Sequence, residues 1–178
     1  MQTYHRPLEA PADTEPYELA KALKALLAAD RPGSTHREAM ATDLLTNYDL
    51  IESVKPPELL SLSAAFFRHL EKEFGPAGRM YRKYPLRYEL DGRLFETVVD
   101  LILETEQGWI VVQHSGHSGG LSQAGRKAKE LADWFYLVKN GLAATLPADR
   151  IRAFLHLALG AGLVEVRFSS GAPQMSLF

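Results

Sequence analysis

Apolar residues recur every three or four positions up to residue 74, which is the spacing of one buried face of an α-helix. The clearest stripe consists of Leu19, Ala22, Leu23 and Leu26. Turn residues divide this region at Asp30-Arg-Pro-Gly33 and at Pro56-Pro57. We therefore predict three helices, over residues 15–29, 34–47 and 57–74. Residues 1–14, which contain Pro7 and Pro11, are predicted to be a flexible arm.

The pattern changes to short apolar runs rich in β-branched and aromatic residues after residue 80. These runs cover residues 81–90, 94–104 and 109–114. Asp91-Gly92 separates the first two, and Asp-Gly is a strong signal for a two-residue hairpin turn. The sequence therefore predicts three consecutive strands, of which the first two form a hairpin.

One long amphipathic helix is predicted next, followed by strands at residues 151–158 and 163–168. The apolar stripe of the helix is Ala124, Ala128, Leu131, Phe135, Val138 and Leu142. This order of elements predicts an α/β fold, with a mixed sheet against which helices pack. Residues 15–168 would form this domain, and residues 169–178 a short tail.

Composition narrows the possible functions. The 178 residues include no cysteine, which excludes disulfides and thiolate metal sites. The N-terminus lacks a signal-peptide pattern and the chain lacks an apolar run of about 18 residues, so we expect a cytoplasmic protein without membrane contact.

The net charge of −2 is unlike that of a dedicated nucleic-acid-binding protein, which is usually basic. Contact with DNA would depend on local basic patches, unless these are simply solvated faces. The possible nucleic-acid-binding residues are Arg79, Arg82, Arg87, Arg126 and Lys127.

Three segments resemble the PD-(D/E)XK nuclease domain found at the C-terminus of UvrD-like helicases of the RecB/AddA type. They are "ALKALLAADRP", "YRKYPLRYELDGRLFETVVDLILETEQGWIVVQHSG" and "KELADW". The dispersed similarity covers residues 17–168. It implies a restriction-endonuclease-like mixed β-sheet with a βββαβ core and an N-terminal helical segment. In that family an acidic cluster binds Mg²⁺, which activates the attacking water.

The same resemblance implies that most of the family's metal ligands are replaced in this chain. The family's helix histidine corresponds to Lys24, and its first-strand glutamate to Lys83. The first aspartate is kept as Asp100, whereas the second acid corresponds to Gln113. Because Mg²⁺ prefers anionic oxygen ligands, we expect no metal cofactor. Lys24 and Lys83 are instead expected to neutralise Asp100.

Other family positions have changed as well. The catalytic lysine corresponds to Ser115, and the Gln-x-x-x-Tyr motif to Glu130 and Trp134. A glycine of the family's hairpin corresponds to Thr97. Trp134 and its neighbour Phe135 are expected to pack in the core rather than to form a base-stacking platform.

Two metal-dependent alternatives remain open. A migrated Mg²⁺ site would use Asp100 with Glu96, Glu104 or Glu130; strand alternation predicts Glu96, Asp100 and Glu104 on one face. His114 and His117 would form a two-histidine site, which is weak without a nearby acid.

The C-terminal residues resemble the peptide by which bacterial proteins bind the DNA polymerase sliding clamp (β subunit). This peptide is Gln174, Met175, Ser176, Leu177 and Phe178. Leu177 and Phe178 have the chemistry of paired anchors for an apolar pocket. The alternatives are that the two side chains fold back on the domain, or that the match is due to chance.

Three functions follow from these patterns. The leading hypothesis is a catalytically inactive nuclease-like module that acts by binding in DNA replication or repair. The second is a structural domain that holds a helicase subunit in a helicase–nuclease complex. The third is a metal-dependent DNA nuclease with a migrated site.

Overall fold

A six-stranded mixed sheet with helices on both faces forms the fold in the computed structural model of the chain. The structure describes residues 2–9, 14–117 and 121–167, without the side chains of residues 121 and 122. The clamp-binding-like peptide, Gln174–Phe178, lies outside the described residues.

The strands run in the spatial order β1-β6-β5-β4-β3-β2. Their bounds are β1 Gln2–Thr3, β2 Arg79–Leu90, β3 Arg93–Thr105, β4 Gly108–Ser115, β5 Ile151–Leu157 and β6 Gly162–Val166. Strands β4 and β5 are parallel, and every other neighbouring pair is antiparallel. The predicted α/β fold with a mixed sheet is confirmed at this level.

Five helices lie within the described residues. Their bounds are α1 Pro16–Ala29, α2 Arg37–Asn47, α3 Pro56–Phe74, α4 Leu121–Glu130 and α5 Ala132–Ala143. A short 3₁₀ turn, Ala148–Arg150, precedes β5. None of these helices has both the length and the apolarity required to cross a bilayer.

The segment predicted as a flexible arm begins with a strand. Gln2 and Thr3 pair with β6, and the Tyr4 and Leu8 amides donate to the carbonyls of Ala161 and Leu159 at 3.0 and 2.9 Å. Residues 2–9 therefore add to the edge of the sheet. A two-residue strand has no alternating pattern, and its backbone bonds depend on an edge that the sequence does not reveal.

The predicted long helix is interrupted at Leu131, so the expectation of one continuous helix is wrong. This residue has φ −98° and ψ 0°, outside the usual helical range, and it separates α4 from α5. Helical hydrogen bonds still reach across the break, from the Leu131 amide to Lys127 and from the Phe135 amide to Leu131. The apolar spacing on which the prediction rests continues through the break for this reason.

The two faces of the sheet bury different clusters of side chains. Helices α1, α2 and α3 cover one face, where Leu101, Leu103 and Val112 belong to the cluster that contains Phe66. Helix α5 covers the other face, where Ile102 packs in the cluster that contains Val138. Apolar residues at adjacent strand positions therefore both become buried, as expected for a sheet covered on both sides.

A matched irregularity interrupts side-chain alternation on β2 and β3. Tyr81 and Tyr84, three residues apart, both pack in the α5-side cluster, and so do Val99 and Ile102 on the partner strand. The β2–β3 register is the same before and after the irregularity, because both strands have the same number of residues between the flanking pairs. Lys83 lies at its centre with φ 51°, in the left-handed region that a lysine rarely adopts.

Candidate functional site

Strands β3 and β4 lose their backbone pairing at the position of Asp100. Their last pair is Leu101 with Val112. Beyond it, the Asp100 amide donates to Gln113 Oε1 at 3.3 Å, and the His114 amide donates to Asp100 Oδ2 at 2.9 Å. Two side chains thus take over the hydrogen bonding that the backbone no longer provides. The Asp100 carboxylate consequently lies between the two strands, next to a cleft.

Both lysines predicted to neutralise Asp100 are in contact with it. Lys83 Nζ donates to Asp100 Oδ1 at 2.6 Å, and Lys24 Nζ lies 4.0 Å from Asp100 Oδ2. The carboxylate is buried, at 3% side-chain exposure, whereas the side chains of Lys83 and Lys24 are 49% and 33% exposed. This prediction is confirmed. A buried carboxylate requires compensating charge, and two ammonium groups provide it here.

The matched irregularity explains how these contacts form. Lys83 stands opposite Asp100 across the β2–β3 register, since the flanking pairs are Arg82 with Leu101 and Tyr84 with Val99. The positive φ of Lys83 accompanies the shift of its side chain away from the α5-side cluster. Strained backbone of this kind persists only where surrounding contacts maintain it, and it concentrates at functional sites.

A cleft of about 570 Å³ is lined by three residues that contact Asp100: Lys24, Gln113 and His114. Helix α1 contributes Lys21 and Lys24 to its lining, and the end of β4 contributes Gln113 and Ser115. Lys127 of α4 also lines the cleft and is bonded to Glu130 at 2.8 Å. The lining therefore carries lysine ammonium groups and neutral polar groups.

Gly116 permits helix α1 to approach the end of β4. A Cβ atom at Gly116 would lie 2.5 Å from the Cβ of Ala20, well inside van der Waals contact. Any larger residue at position 116 would push α1 away. The width of the cleft therefore depends on this glycine.

Two histidines form a buried pair beneath the cleft. His114 Nδ1 and His156 Nδ1 are 2.7 Å apart, and the Tyr4 hydroxyl is 2.6 Å from His156 Nε2. The side chain of Phe66 stacks on His156 with ring centroids 4.1 Å apart. The two histidines are direct partners in the β4–β5 register.

Burial controls the ionisation of His114, His156 and Tyr4. It lowers the pKa of His114 to about 3, with the charges of Lys24 and Lys83 acting in the same direction. Burial also lowers the pKa of His156 well below its ordinary value, and His114 contributes to this effect. The pKa of the Tyr4 hydroxyl is raised by burial. Both imidazoles are therefore neutral at pH 7.

Neither Tyr4 nor His156 is recognisable from the sequence as part of the site. Position 156 shows no informative spacing relative to the other histidines, and Tyr4 falls in the segment predicted as an arm. The available signal was one histidine in each of two predicted strands. It becomes informative only when β4 and β5 are known to be parallel neighbours.

The remaining family positions lie apart from Asp100 or serve other contacts. Ser115 ends β4, where its carbonyl accepts from the Ala158 amide. Glu130 is exposed and pairs with Lys127. Trp134 Nε1 donates to Thr97 Oγ1 at 2.9 Å, so two of the residues singled out by the resemblance contact each other.

The core assignment of the aromatic pair on α5 agrees with the structure. Phe135 is fully buried among α4 and strands β5 and β6, which confirms it as a core residue. Trp134 is partly buried and packs edge-on against Phe135 at 4.9 Å. Its ring contributes to packing between the helices and the sheet.

The five possible nucleic-acid-binding residues occupy two elements and have local partners. Arg79 and Arg87 on β2 pair with Glu104 and Glu96 on β3, at 3.6 and 3.0 Å. Arg126 and Lys127 on α4 both pair with Glu130, at 3.9 and 2.8 Å. Arg82 places its guanidinium 4.8 Å from the centre of the Phe67 ring.

Regular alternation does not hold along β3, so the prediction that places Glu96, Asp100 and Glu104 on one face is wrong. Glu104 pairs in register with Trp109, whose side chain packs in the α5-side cluster. Asp100 instead reaches Lys24 on α1, which covers the opposite face. The irregularity between Val99 and Ile102 causes this change of side.

Metal-binding groups are limited around this site. Among the described residues, no three His, Cys, Asp or Glu side chains converge in a way that would hold an ion. His114 uses Nδ1 to contact His156, and His117 is exposed at the cleft. At Asp100, one carboxylate lies between two ammonium groups, and these groups neutralise its charge.

No protein-family model matches the chain, and no curated protein sequence matches it at a significant level.

Proposed function

We propose that this protein is a catalytically inactive, restriction-endonuclease-like module that acts by binding in DNA replication or repair. The observation that carries this proposal is the neutralisation of Asp100 by Lys83 and Lys24. In the family that the sequence resembles, the corresponding positions surround a divalent cation.

The electrostatics at Asp100 oppose a metal at this position. A divalent cation bound to Asp100 would approach two ammonium groups that already contact the same carboxylate. At an effective dielectric constant of about 20, two unit charges 4 Å apart interact with about 4 kcal/mol, and a divalent cation doubles that repulsion. Gln113 adds a neutral amide oxygen where the family has an acid, so little anionic charge offsets the cost.

A cleavage assay tests the loss of the nuclease mechanism. We expect the purified protein to leave single- and double-stranded DNA intact in Mg²⁺ and in Mn²⁺. Cleavage by the wild type that is abolished in Asp100→Ala would instead establish the metal-dependent alternative, with Asp100 as its ligand. A contaminating nuclease would cleave equally in both preparations.

The tail supports docking on a sliding clamp as the binding activity. Gln174 offers several directional hydrogen bonds, Met175 is an adaptable apolar filler, and Leu177 with Phe178 are anchors for an apolar pocket. Short peptides with two such anchors bind preformed grooves. This composition fits the clamp-binding peptide that residues 174–178 resemble.

Calorimetry with a purified bacterial sliding clamp tests the docking proposal. We expect micromolar affinity, equivalent to about −8 kcal/mol, which is lost when Leu177 and Phe178 are both changed to Ala. Leu94→Ala is the matched control, because Leu94 is an exposed leucine in the described part of the chain, at 56%. Undiminished affinity in the double variant would exclude the tail as the anchor.

A second outcome of the same experiment would favour the other binding hypothesis, a structural role beside a helicase subunit. If the wild type does not bind the clamp, the tail match is due to chance. The structural role in a helicase–nuclease complex then becomes the leading hypothesis. Co-purification with a helicase subunit encoded nearby would test it.

A further inference from the structure

The N-terminal segment, residues 2–9, is held by backbone bonds to the sheet and by Tyr4 and Leu8, which pack against the core. Two register pairs join β1 to β6, and the Tyr4 and Leu8 amides bond to Ala161 and Leu159. The Tyr4 hydroxyl adds a side-chain bond to the buried His156, at 2.6 Å from its Nε2. This side-chain bond connects the edge of the sheet to the buried histidine pair.

In one orientation of the hydrogen-bond chain the Tyr4 proton has an acceptor. The Tyr4 hydroxyl donates to His156 Nε2, which therefore carries no proton. His156 then carries its proton on Nδ1 and donates to His114 Nδ1. In the opposite orientation the Tyr4 hydroxyl would accept from His156, and its own proton would need another acceptor.

This orientation leaves His156 without a free site for a second proton. Its only lone pair, on Nε2, already accepts from Tyr4. A proton that binds there displaces the Tyr4 hydroxyl from its role as donor. The Tyr4 hydroxyl can then only accept from Nε2–H and its own proton loses its acceptor, so protonation leaves a buried cation beside a reversed bond.

The surroundings of His156 disfavour its charged form. The side chain is 1% exposed and lies between Phe66 and Tyr4. Of the titratable groups around it, His114 on β4 and His69 on α3 disfavour a positive charge, while Asp100 on β3 favours it. Asp100 is already neutralised by Lys24 on α1 and Lys83 on β2.

We propose that the Tyr4–His156 hydrogen bond is a pH-sensitive latch, which holds residues 2–9 on the sheet at neutral pH and releases them when His156 is protonated. Tyr4 of this segment lies against His156, so release of the segment opens one side of the imidazole to water. Local openings of this kind occur well before global unfolding.

The direction of the pH dependence follows from the depressed pKa of His156 in the closed state. When the segment is released, the imidazole regains an ordinary pKa of about 6.5. The closed state therefore keeps its full advantage above about pH 6.5 and loses it as the pH falls below that value. At pH 5 the open state gains by a factor of about 30 for this one histidine.

Amide hydrogen exchange measured by NMR between pH 8 and pH 5 tests the latch. Rates are compared with those of an unstructured peptide at the same pH. We expect the protection of the Tyr4 and Leu8 amides to fall about 30-fold. The protection of the Ile102 and Val111 amides, in the central strands, should stay unchanged. A flat response, or an equal loss at Ile102 and Val111, would overturn the proposal.

Two histidine variants identify the group that titrates. His156→Phe keeps a ring against Phe66 and should reduce the pH-dependent loss to about twofold or less. His69→Gln is the matched control, because the His69 ring also stacks on Tyr4, at 5.3 Å, and its pKa is also lowered by burial. The full loss should persist in that variant. Persistence in His156→Phe, or disappearance in His69→Gln, would contradict the latch.

Tyr4→Phe tests the hydrogen bond without changing the core. The ring remains, and only the hydroxyl is removed. We expect the protection of the Leu8 amide at pH 8 to fall about fivefold, as for one net hydrogen bond. Unchanged protection would mean that the hydroxyl does not hold the segment.

Discussion

Two buried carboxylates, Asp30 and Asp100, are neutralised in different ways. Asp30 follows α1, is completely buried and accepts two bonds of 2.6 Å from Arg37 and one of 2.7 Å from Ser63. Asp100 has two lysines, a backbone amide and an adjoining cleft. Arg37 forms a planar, two-point contact, whereas the lysines are flexible and partly exposed.

This difference indicates that Asp30 belongs to a structural ion pair, whereas Asp100 belongs to a candidate binding site. The Asp30 cluster connects α1, α2 and α3, and its geometry leaves no carboxylate oxygen without a partner. The Asp100 cluster joins strands that have stopped pairing, and both lysine side chains keep contact with solvent. Changes at Asp30 should therefore affect stability, and changes at Asp100 should affect what the cleft binds.

The largest expected effect is the loss of Arg37. Arg37→Met leaves the Asp30 carboxylate buried with Ser63 as its remaining side-chain donor, so we expect a loss of about 3–5 kcal/mol in the free energy of unfolding. Urea denaturation measures it. Arg87→Met is the control, because the Arg87–Glu96 pair is exposed and should contribute about 0–1 kcal/mol. Equal effects of the two changes would mean that the buried Arg37–Asp30 pair contributes no more stability than an exposed pair.

A second change should convert the Asp100 cluster into a metal site. Lys83→Glu combined with Gln113→Glu places two carboxylates beside Asp100, the kind of ligand that Mg²⁺ and Mn²⁺ prefer. We expect stabilisation of about 2.7 kcal/mol at a metal concentration 100 times the dissociation constant. Thermal melting with and without metal measures it. If the same rise occurs when Asp100→Asn is added, the ion does not bind at this site.

Removing one lysine from Asp100 should have a smaller effect. Lys83→Met breaks the 2.6 Å ion pair, but Lys24 is 4.0 Å from the same carboxylate and long enough to replace it. We therefore expect a loss of about 1 kcal/mol, comparable with a single hydrogen bond, in contrast to Arg37→Met. The measurement is urea denaturation under identical conditions. A loss as large as that of Arg37→Met would show that Lys24 provides no substitute.

The smallest expected effect is the acid dependence of the Asp30 cluster. Burial is the largest influence on Asp30 and opposes its ionisation, but the hydrogen bonds from Arg37 and Ser63 and the charges of Arg37 and Arg31 together lower its pKa. A depressed carboxyl pKa stabilises the fold above about pH 3.9, and this contribution is lost as the pH falls below that value. Asp30→Asn should therefore flatten the stability profile below about pH 4. An unchanged slope would mean that another carboxyl group dominates.

The secondary structure was largely predictable because local patterns determine it. Helical spacing, proline positions and the Asp91-Gly92 turn place the helices α1–α3 and the hairpin close to their observed bounds. The break at Leu131 was not predictable, because the apolar spacing continues through it. The β1 strand was also missed, since two residues cannot show alternation.

The contact of Lys24 and Lys83 with Asp100 was predicted from a resemblance and is present in the structure. The means by which it forms was not predictable. Regular alternation gave the wrong face for Glu104 relative to Asp100, because the matched irregularity at Lys83 changes the side on which residues point. A left-handed lysine has no signature in the sequence.

The sequence by itself determined the type of each main element, the two cationic partners of Asp100 and the chemistry available in the tail. Only the tertiary structure decided that β4 and β5 are parallel neighbours, which brings His114 against His156. It also decided that residues 2–9 complete the sheet and place Tyr4 on that pair. The physical reason is range: helices and turns form from interactions between residues a few positions apart, whereas strand order and burial depend on contacts between distant parts of the chain.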